Sequence, residues 1–198
     1  MSDDIIISPD TKRKNRVPSN QRLTEDFPVL HHDGIPEFYK AKWQFRIWGL
    51  VEKERKLSFD EFTALPQGKV LSDIHCVTGW SKLNNVWEGI SSNEIRKLVN
   101  IKPEAKFVMI YSADDYYTNL SFEDFFQEDV LFALRYNDKE ITPEHGYPVR
   151  LVVPKLYLWK SAKWVNGIQF LAKDTPGFWE SRGYHNHGDP WTEERYSR

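Results

Sequence analysis

Alternating and continuous apolar runs predict a chain built mainly of strands. Residues 43–48 alternate apolar and polar side chains, as a half-buried strand does. The pair Asn137-Asp138 separates two apolar runs and is typical of a hairpin turn. The predicted strands are residues 43–48, 70–77, 107–111, 130–136, 139–141, 149–153 and 164–171.

Three short helices are predicted between these strands, each beginning at a serine that can cap it. Ser58 is followed three residues later by Glu61, the spacing of a capping box, and Pro66 ends that helix. Residues 91–94 repeat the capping-box spacing, and residues 121–124 offer a third cap. Short helices between strands, without strict strand–helix alternation, predict an α+β fold with a mixed sheet in a single domain.

The sequence divides into an arm and one domain. Residues 1–26 are polar and show no apolar period, so we expect a flexible or surface-hugging N-terminal arm. Its basic run at residues 12–14 is interpreted as a solvated tail. Ordered structure is expected from about Phe27, and residues 27–198 are long enough to bury a substantial core as one domain.

Charge and composition exclude several classes of function. The 198 residues carry a formal net charge of −2 with acids and bases interspersed, so no nucleic-acid partner is indicated. No run of about 18 apolar residues predicts a membrane span. The N-terminus has neither a secretory pattern nor a twin-arginine pair. We therefore expect a cytoplasmic protein without a membrane partner.

The single cysteine, Cys76, is the first candidate for chemistry. It ends a predicted strand just before a Gly-Trp-Ser turn at residues 79–81. A solitary cysteine is a candidate nucleophile or metal ligand, although by position alone a buried apolar role is more common. A zinc site is not indicated, because His75 would point to the opposite face of the strand and the other histidines are sparse.

Two cationic stretches predict a site for an anion. Arg150 stands at the start of a buried strand, where an arginine needs a partner. Lys160 and Lys163 flank two small residues, which let backbone N–H groups approach a ligand closely. Separately these are surface cations beside a tight turn, but together they favour an anionic ligand bound between two loops.

Four motifs occur along the domain in a fixed order. They are His-Cys-Val-Thr-x-Trp-Ser at residues 75–81, Trp-Glu-Gly at 87–89, His-Gly-Tyr-Pro-Val-Arg at 145–150 and Lys-Ser-Ala-Lys-Trp at 160–164. Their combination resembles the molybdopterin-binding domain of the sulfite oxidase family, and most closely its small bacterial single-domain members. The resemblance covers residues 27–191 and implies the mixed-sheet fold of that family.

The resemblance also implies a set of site residues around molybdenum held by one molybdopterin, in the form without an added nucleotide. Cys76 would be the thiolate ligand of the metal, and Tyr184 matches a tyrosine close to it. The positions that match cofactor contacts are Leu30, His31, His75, Cys76, Thr78, His145, Arg150, Ser161, Ala162 and Lys163. Among them, His145 and Arg150 match contacts to the pterin and its phosphate, and residues 161–163 match the loop that closes on the phosphate.

The implied activity is oxygen-atom transfer to or from a small sulfite-, S-oxide- or N-oxide-type substrate. No ligand pattern for haem, flavin or an iron–sulfur cluster is seen, so we expect an external electron carrier. Leu30 or a neighbour stands where sulfite oxidases have an arginine, so cofactor binding transfers more directly than sulfite as the substrate. Charge alone also makes Arg182 and Lys155 candidates for steering an anion.

Two other classes of function stay open from the residues alone. Cys76 could be the nucleophile of a hydrolase with His145 as its base, which requires the thiol to lie within hydrogen-bond reach of an imidazole. A non-catalytic module could use the aromatic residues, 15% of the chain, to bind a partner. The ordered motif set favours the molybdenum oxidoreductase over both.

Overall fold

The computed structural model describes residues 5–197, which form two β-sheets with short helices at their edges. The strands are β1 (Ile5–Ile7), β2 (Arg22–Leu23), β3 (Gln44–Gly49), β4 (Arg55–Ser58), β5 (Gly68–Cys76), β6 (Trp80–Ser91), β7 (Phe107–Ser112), β8 (Tyr117–Ser121), β9 (Leu131–Tyr136), β10 (Lys139–Glu140), β11 (Arg150–Val152) and β12 (Val165–Leu171). The helices are α1 (Phe59–Thr63), α2 (Ser92–Arg96) and α3 (Phe122–Phe125). None of the helices within the described residues has the length and apolar character needed to cross a membrane.

The two sheets combine parallel and antiparallel neighbours. The larger sheet has the order β1–β5–β6–β9–β10, with β2 added beside β6 and β11 beside β9. The smaller sheet has the order β4–β3–β12–β7–β8. The pairs β1–β5, β2–β6 and β3–β12 are parallel, and the remaining pairs are antiparallel. This architecture confirms the predicted α+β fold with mixed sheets.

One large apolar cluster joins the two sheets, and a smaller one lies along the larger sheet. In β3, Phe45 and Ile47 are fully buried while Gln44 and Arg46 are exposed, which confirms the strand predicted from their alternation. The large cluster continues through strands of both sheets. The small cluster contains Cys76, so the only thiol of the chain lies at the end of a packed strand.

Local signals in the sequence predicted the helix starts with one difference. Ser58 and Glu61 form a complete capping box at the start of α1. Ser91 caps α2 through its hydroxyl, but Glu94 bonds to Lys97 and does not complete the second predicted capping box. The difference arises because a lysine three residues on competes for the carboxylate.

The arm predicted at residues 1–26 lies on the larger sheet wherever it is described. Arg16 donates hydrogen bonds of 2.8 and 2.6 Å to the buried carboxylate of Asp73, and Arg13 stacks over the Trp191 ring at 4.0 Å. Residues 13 and 16 of the arm therefore contact the rest of the chain at defined positions, and the division at Phe27 into an arm and a domain stays a prediction. Residues 1–4 of the predicted arm and residue 198 of the predicted domain lie outside the described residues.

Candidate active site

A cavity of about 270 Å³ lies at the end of β5. Residues 27–32 line it, as do Trp179 and Tyr184 of the C-terminal segment, which we define as residues 172–197 after β12. Its walls include every predicted site residue except His75: Leu30, His31, Cys76, Thr78, His145, Arg150, Ser161, Ala162, Lys163 and Tyr184. Lining residues that sequence reasoning did not assign to the site are Phe27, Pro28, His32, Val77, Trp80, Asp114, Tyr116, Leu158, Trp159, Trp164 and Trp179. The fold thus brings together residues as far apart in the chain as Leu30 and Tyr184.

Cys76 is the last residue of β5 and contributes its thiol to the cavity wall. The residue is only 6% exposed, and its Sγ lies 3.1 Å from the hydroxyl of Thr78. Burial raises the pKa of the Cys76 thiol, while the Thr78 hydrogen bond and the positive charges of Arg150 and Arg195 lower it. Coordination to a cation would remove the proton outright, which suits this thiol to a metal.

The adjacent His75 faces the other side of β5, as the alternation of a strand requires. Its ring is fully buried, with Nδ1 2.8 Å from the hydroxyl of Ser81 and an edge-on contact to Trp191. Burial lowers the pKa of His75 to about 4, so the ring is neutral. The His75 side chain therefore does not line the cavity and packs beside the turn after β5, so its position does not support the predicted contact with a cofactor.

Arg150 supplies the cavity with a buried guanidinium that has unused donors. One Nη1 hydrogen bond of 2.9 Å goes to the carbonyl oxygen of His145, and the group lies over the Phe27 ring at 5.4 Å. The buried Nε has no hydrogen-bond partner among residues 5–197. Burial lowers the pKa of Arg150 to about 10, which leaves the group charged at neutral pH. Buried donors are normally paired, so this arginine is arranged for a ligand.

Lys163 places a second cation near Arg150. Its Nζ donates to the carbonyl oxygens of Leu30 at 2.8 Å and Glu144 at 2.9 Å, and an ammonium has a third donor to offer. Burial and the neighbouring Arg150 lower the pKa of Lys163 to about 8. Gly146, at φ +115°, permits this close packing, because an added Cβ would lie 3.1 Å from Lys163 Cβ and 3.2 Å from Arg150 Cβ.

Flat rings and a fixed loop form the neighbouring parts of the wall. The imidazole of His145 stacks on Phe27 with ring centroids 4.0 Å apart. Burial, followed by the positive charge of Arg150, lowers the pKa of His145 to about 4, so this ring is also neutral. The loop at residues 161–163 is held to β11, because Leu151 N–H donates to the carbonyl oxygen of Ala162 at 2.8 Å, and Val153 N–H, just after β11, donates to the Ser161 hydroxyl at 3.0 Å.

Three further residues of the cavity wall are Tyr184, which the resemblance predicted, and Asp114 and His32, which it did not assign to the site. Tyr184 stacks on Trp179 with ring centroids 5.1 Å apart, and burial raises the pKa of its phenol. The Asp114 carboxylate lies 3.5 Å from Nδ1 of His32. Asp114 sits in the turn between β7 and β8, and none of the motifs found in the sequence includes it. His32, interpreted from the sequence as an ordinary histidine, also lines the cavity.

The geometry does not support a Cys–His hydrolase. Among the described residues, the hydrogen-bond partner of the Cys76 thiol is the Thr78 hydroxyl, and no imidazole takes that place. The candidate base His145 is stacked on Phe27. A nucleophilic thiol needs a base in contact, so this pair lacks the arrangement that hydrolysis requires.

The two cations proposed from charge alone to steer an anion are also placed elsewhere. Lys155 Nζ is paired with Asp124 at 2.6 Å, beside a separate small cavity. Arg182 stacks over the Phe178 ring at 3.6 Å. Neither lines the main cavity, so their positions do not support a direct contact with an anion bound there.

The donor set fits the cofactor that the resemblance implies. A thiol is a soft ligand suited to a transition metal, two cations with spare donors suit a phosphate, and stacked rings suit a flat heterocycle. Cys76, Arg150 and Lys163 line the same cavity, and the orphaned Arg150 Nε gives a specific place for an anionic oxygen.

Comparison with known families gives a match to the oxidoreductase molybdopterin-binding domain over residues 32–179. The uncharacterized oxidoreductase YuiH of Bacillus subtilis (strain 168) is 45% identical over 186 residues, which cover 93% of this chain and 94% of that protein. The sulfite oxidase of Arabidopsis thaliana is 26% identical over 194 residues. That match covers 80% of this chain and 49% of the relative, so the chain spans about half of the longer protein.

Among solved structures, the sulfane dehydrogenase SoxCD from Paracoccus pantotrophus is similar to this chain with a TM-score of 0.68. The match covers 77% of this chain and 43% of that one, at 23% sequence identity. At that identity the likeness concerns the fold alone, and it agrees with the mixed-sheet architecture described above.

Proposed function

The chain belongs to the oxidoreductase molybdopterin-binding family, and on that premise we propose that it catalyses oxygen-atom transfer with Cys76 as the protein ligand of molybdenum. It is an oxidoreductase whose cofactor is molybdenum carried by molybdopterin. When bound, that cofactor supplies two-electron redox chemistry and the transfer of an oxygen atom. The protein supplies binding, orientation and electrostatics.

The observation that carries the proposal is an incompletely bonded Arg150 in the same cavity as the only thiol. Arg150 and Lys163 would hold the phosphate of the cofactor, because each has donors left for an anion. The neutral His145 ring and Phe27 would line the pterin, and the Cys76 thiolate would bind the metal. Tyr184 would orient the substrate through its hydroxyl.

The charges of the cavity favour an uncharged S-oxide or N-oxide over sulfite. If both cations serve the cofactor phosphate, no arginine or lysine is left among the lining residues to bind an anion, and the only carboxylate there, Asp114, lies beside His32. Leu30, 52% exposed, stands at the cavity where the resembled sulfite oxidases have an arginine nearby. Aromatic residues such as Trp179 add an apolar surface for the organic part of such a substrate. The electrons would pass to or from an external carrier.

Elemental analysis of the purified protein tests this assignment. The chain is produced in a host that makes molybdopterin, as wild type and as Cys76→Ser, and Mo and phosphorus are measured by mass spectrometry. We expect roughly one Mo and one phosphorus per wild-type chain, and loss of Mo or a changed Mo(V) spectrum in the variant. Wild type without Mo, or Cys76→Ser with full Mo and an unchanged spectrum, would contradict the proposal.

A further inference from the structure

Segments from both ends of the described chain meet at the turn that carries Cys76. We call residues 76–80, from the end of β5 to the start of β6, the cysteine turn. β2 runs parallel to the start of β6, with Arg22 opposite Trp80. The Arg22 N–H donates to the carbonyl oxygen of Gly79 at 3.0 Å. The N-terminal arm is therefore bonded directly to the turn.

Gln21 of the arm bonds to both sides of the cysteine turn. Its Nε2 donates to the carbonyl oxygen of Cys76 at 3.1 Å, and its Oε1 accepts from the Ser81 hydroxyl at 3.4 Å. The same hydroxyl lies 2.8 Å from Nδ1 of the buried His75. One amide side chain thus connects the last residue of β5 to the second residue of β6.

Arg195 approaches the same turn from the C-terminal segment. Its Nη1 donates to the carbonyl oxygen of Val77, and its Nη2 donates to that of Asn20 at 3.4 Å. The Asn20 side chain in turn donates to the Glu193 carboxylate at 2.5 Å. The arm and the C-terminal segment are therefore bonded to each other as well as to the turn.

Carbonyl groups of the cysteine turn are thus held from outside the turn at three positions. Gln21 holds the carbonyl of Cys76, Arg195 that of Val77, and the backbone of β2 that of Gly79. The peptide plane after Cys76, which the carbonyl held by Gln21 belongs to, helps to set the direction of the Cα–Cβ bond from which the sulfur is placed, and the other two bonds fix the turn that follows. Holding the planes from two sides restricts that direction.

We propose that the arm and the C-terminal segment form a strap that positions the Cys76 sulfur for metal binding, with Gln21 and Arg195 as positioning residues. This inference rests on the proposed role of Cys76 as the metal ligand. Groups that orient a metal ligand typically change metal affinity or activity by about 10- to 100-fold when they are lost. The strap would act in this way through the backbone.

The first test compares holoenzymes. Gln21→Ala and Arg195→Ala should lose Mo on prolonged dialysis about tenfold faster than wild type and show a shifted Mo(V) electron paramagnetic resonance spectrum. Gln21→Glu keeps the size of the side chain but not its donor, so it should behave like Gln21→Ala. Arg195→Lys keeps a donor and should recover part of the loss.

Matched controls remove the same kind of bond elsewhere. Gln127 donates to the carbonyl oxygen of Glu123 at 2.7 Å, and Arg135 donates to that of Asp138. Neither residue lines the cavity. Gln127→Ala and Arg135→Ala should keep the wild-type spectrum and rate of Mo loss, whatever their effect on thermal stability. Equal changes in the controls would overturn the strap, because they would reflect general loosening.

The second test separates this inference from the proposed function. In the full chain made without molybdopterin, Cys76 is the only thiol, and its alkylation by iodoacetamide is followed by mass spectrometry. Loss of one holding bond should speed alkylation about fivefold in the strap variants and not in the controls. Wild-type rates in both strap variants would overturn the strap. A wild type that never binds Mo would instead contradict the proposed function, and the alkylation rates would still decide the strap.

Discussion

Two buried cations ten residues apart in the chain show different ways of placing a charge inside this protein. Lys160 is 1% exposed, and its Nζ lies 2.5 Å from Glu180 Oε1. The same Nζ donates to the carbonyl and side-chain oxygens of Asn119, each at 2.9 Å. All three donors of the ammonium are therefore used. Arg150, also buried, has one bond to a carbonyl and an Nε without a partner among the described residues.

Lys160 therefore stabilises the fold, whereas Arg150 keeps donors free for a ligand in the cavity. Glu180 also accepts from Thr118 and from the Trp159 indole, so the Lys160 pair ties the C-terminal segment to β8. Arg150 makes no comparable link, and its spare donors line the cavity. The sequence suggested that Lys160 belongs to the anion site, and the structure corrects this, because Lys160 turns into the core and only Lys163 lines the cavity.

Breaking the complete pair should have the largest effect. Lys160→Met leaves the Glu180 carboxylate buried without its cation, so we expect the free energy of unfolding to fall by about 3–5 kcal/mol in urea titrations. The control Lys97→Met removes an exposed ion pair with Glu94 and should cost less than about 1 kcal/mol. A Lys160 variant as stable as the control would show that the pair does not hold the fold together.

Replacing Arg150 should weaken binding of the cofactor and leave the stability of the fold almost unchanged. Arg150→Met should change the stability of the cofactor-free protein by no more than about 1 kcal/mol, because one neutral acceptor is lost. Retention of molybdopterin, measured by phosphorus content and pterin fluorescence, should fall by about 10- to 100-fold. The exposed Arg46→Met is the control and should keep the cofactor. Unfolding as severe as in Lys160→Met would remove the distinction between the two cations.

A third cation, His187, should have the smallest effect on the stability of the fold. Its hydrogen bond to Asp124 raises the pKa of His187 above the ordinary 6.5, so the folded state binds the proton more tightly than the unfolded state. The stabilisation is therefore complete below about pH 6.5 and is lost as the pH rises through the raised pKa. Because the side chain is 38% exposed, the loss should be below about 1 kcal/mol.

Urea titrations across this pH range measure the effect. Wild type should lose slightly more stability than His187→Gln between about pH 6 and pH 9, because the glutamine does not titrate. Parallel pH profiles for the two proteins would mean that the histidine contributes nothing through its charge.

Local patterns in the sequence correctly predicted the elements that depend only on residues close together in the chain. The Asn137-Asp138 hairpin turn is one of these, and both residues have the positive φ that a tight hairpin turn uses. The longest strand, β6, was missed because its buried positions include Ser81, Asn85 and Gly89, which break the apolar alternation. Contacts within the folded sheet explain two of these residues. The Asn85 amide donates to the carbonyl oxygens of Ser72 and Lys82, and a Cβ at Gly89 would collide with β9.

For the site, the motifs predicted which segments come together but not how each side chain is used. Strand alternation predicted that His75 and Cys76 face opposite sides, whereas the resemblance assigned both to the cofactor; the fold places the His75 ring in the core and the Cys76 thiol at the cavity. Asp114 could not be assigned, because its meaning depends on its distance from His32 and Lys163. Distances between residues so far apart in the chain are known only once the chain has folded.

The same packing determines when the pocket can exist at all. Its walls run from Phe27 to Tyr184, and the parallel pair β3–β12 sets Arg46 opposite Gly167. A nascent chain therefore lacks a complete pocket until residues through Tyr184 have been synthesised, and its early strands stay unpaired until then. A cofactor that needs the complete pocket can bind only after Tyr184 has been added, and the incomplete chain before that point is the form exposed to chaperones and proteases.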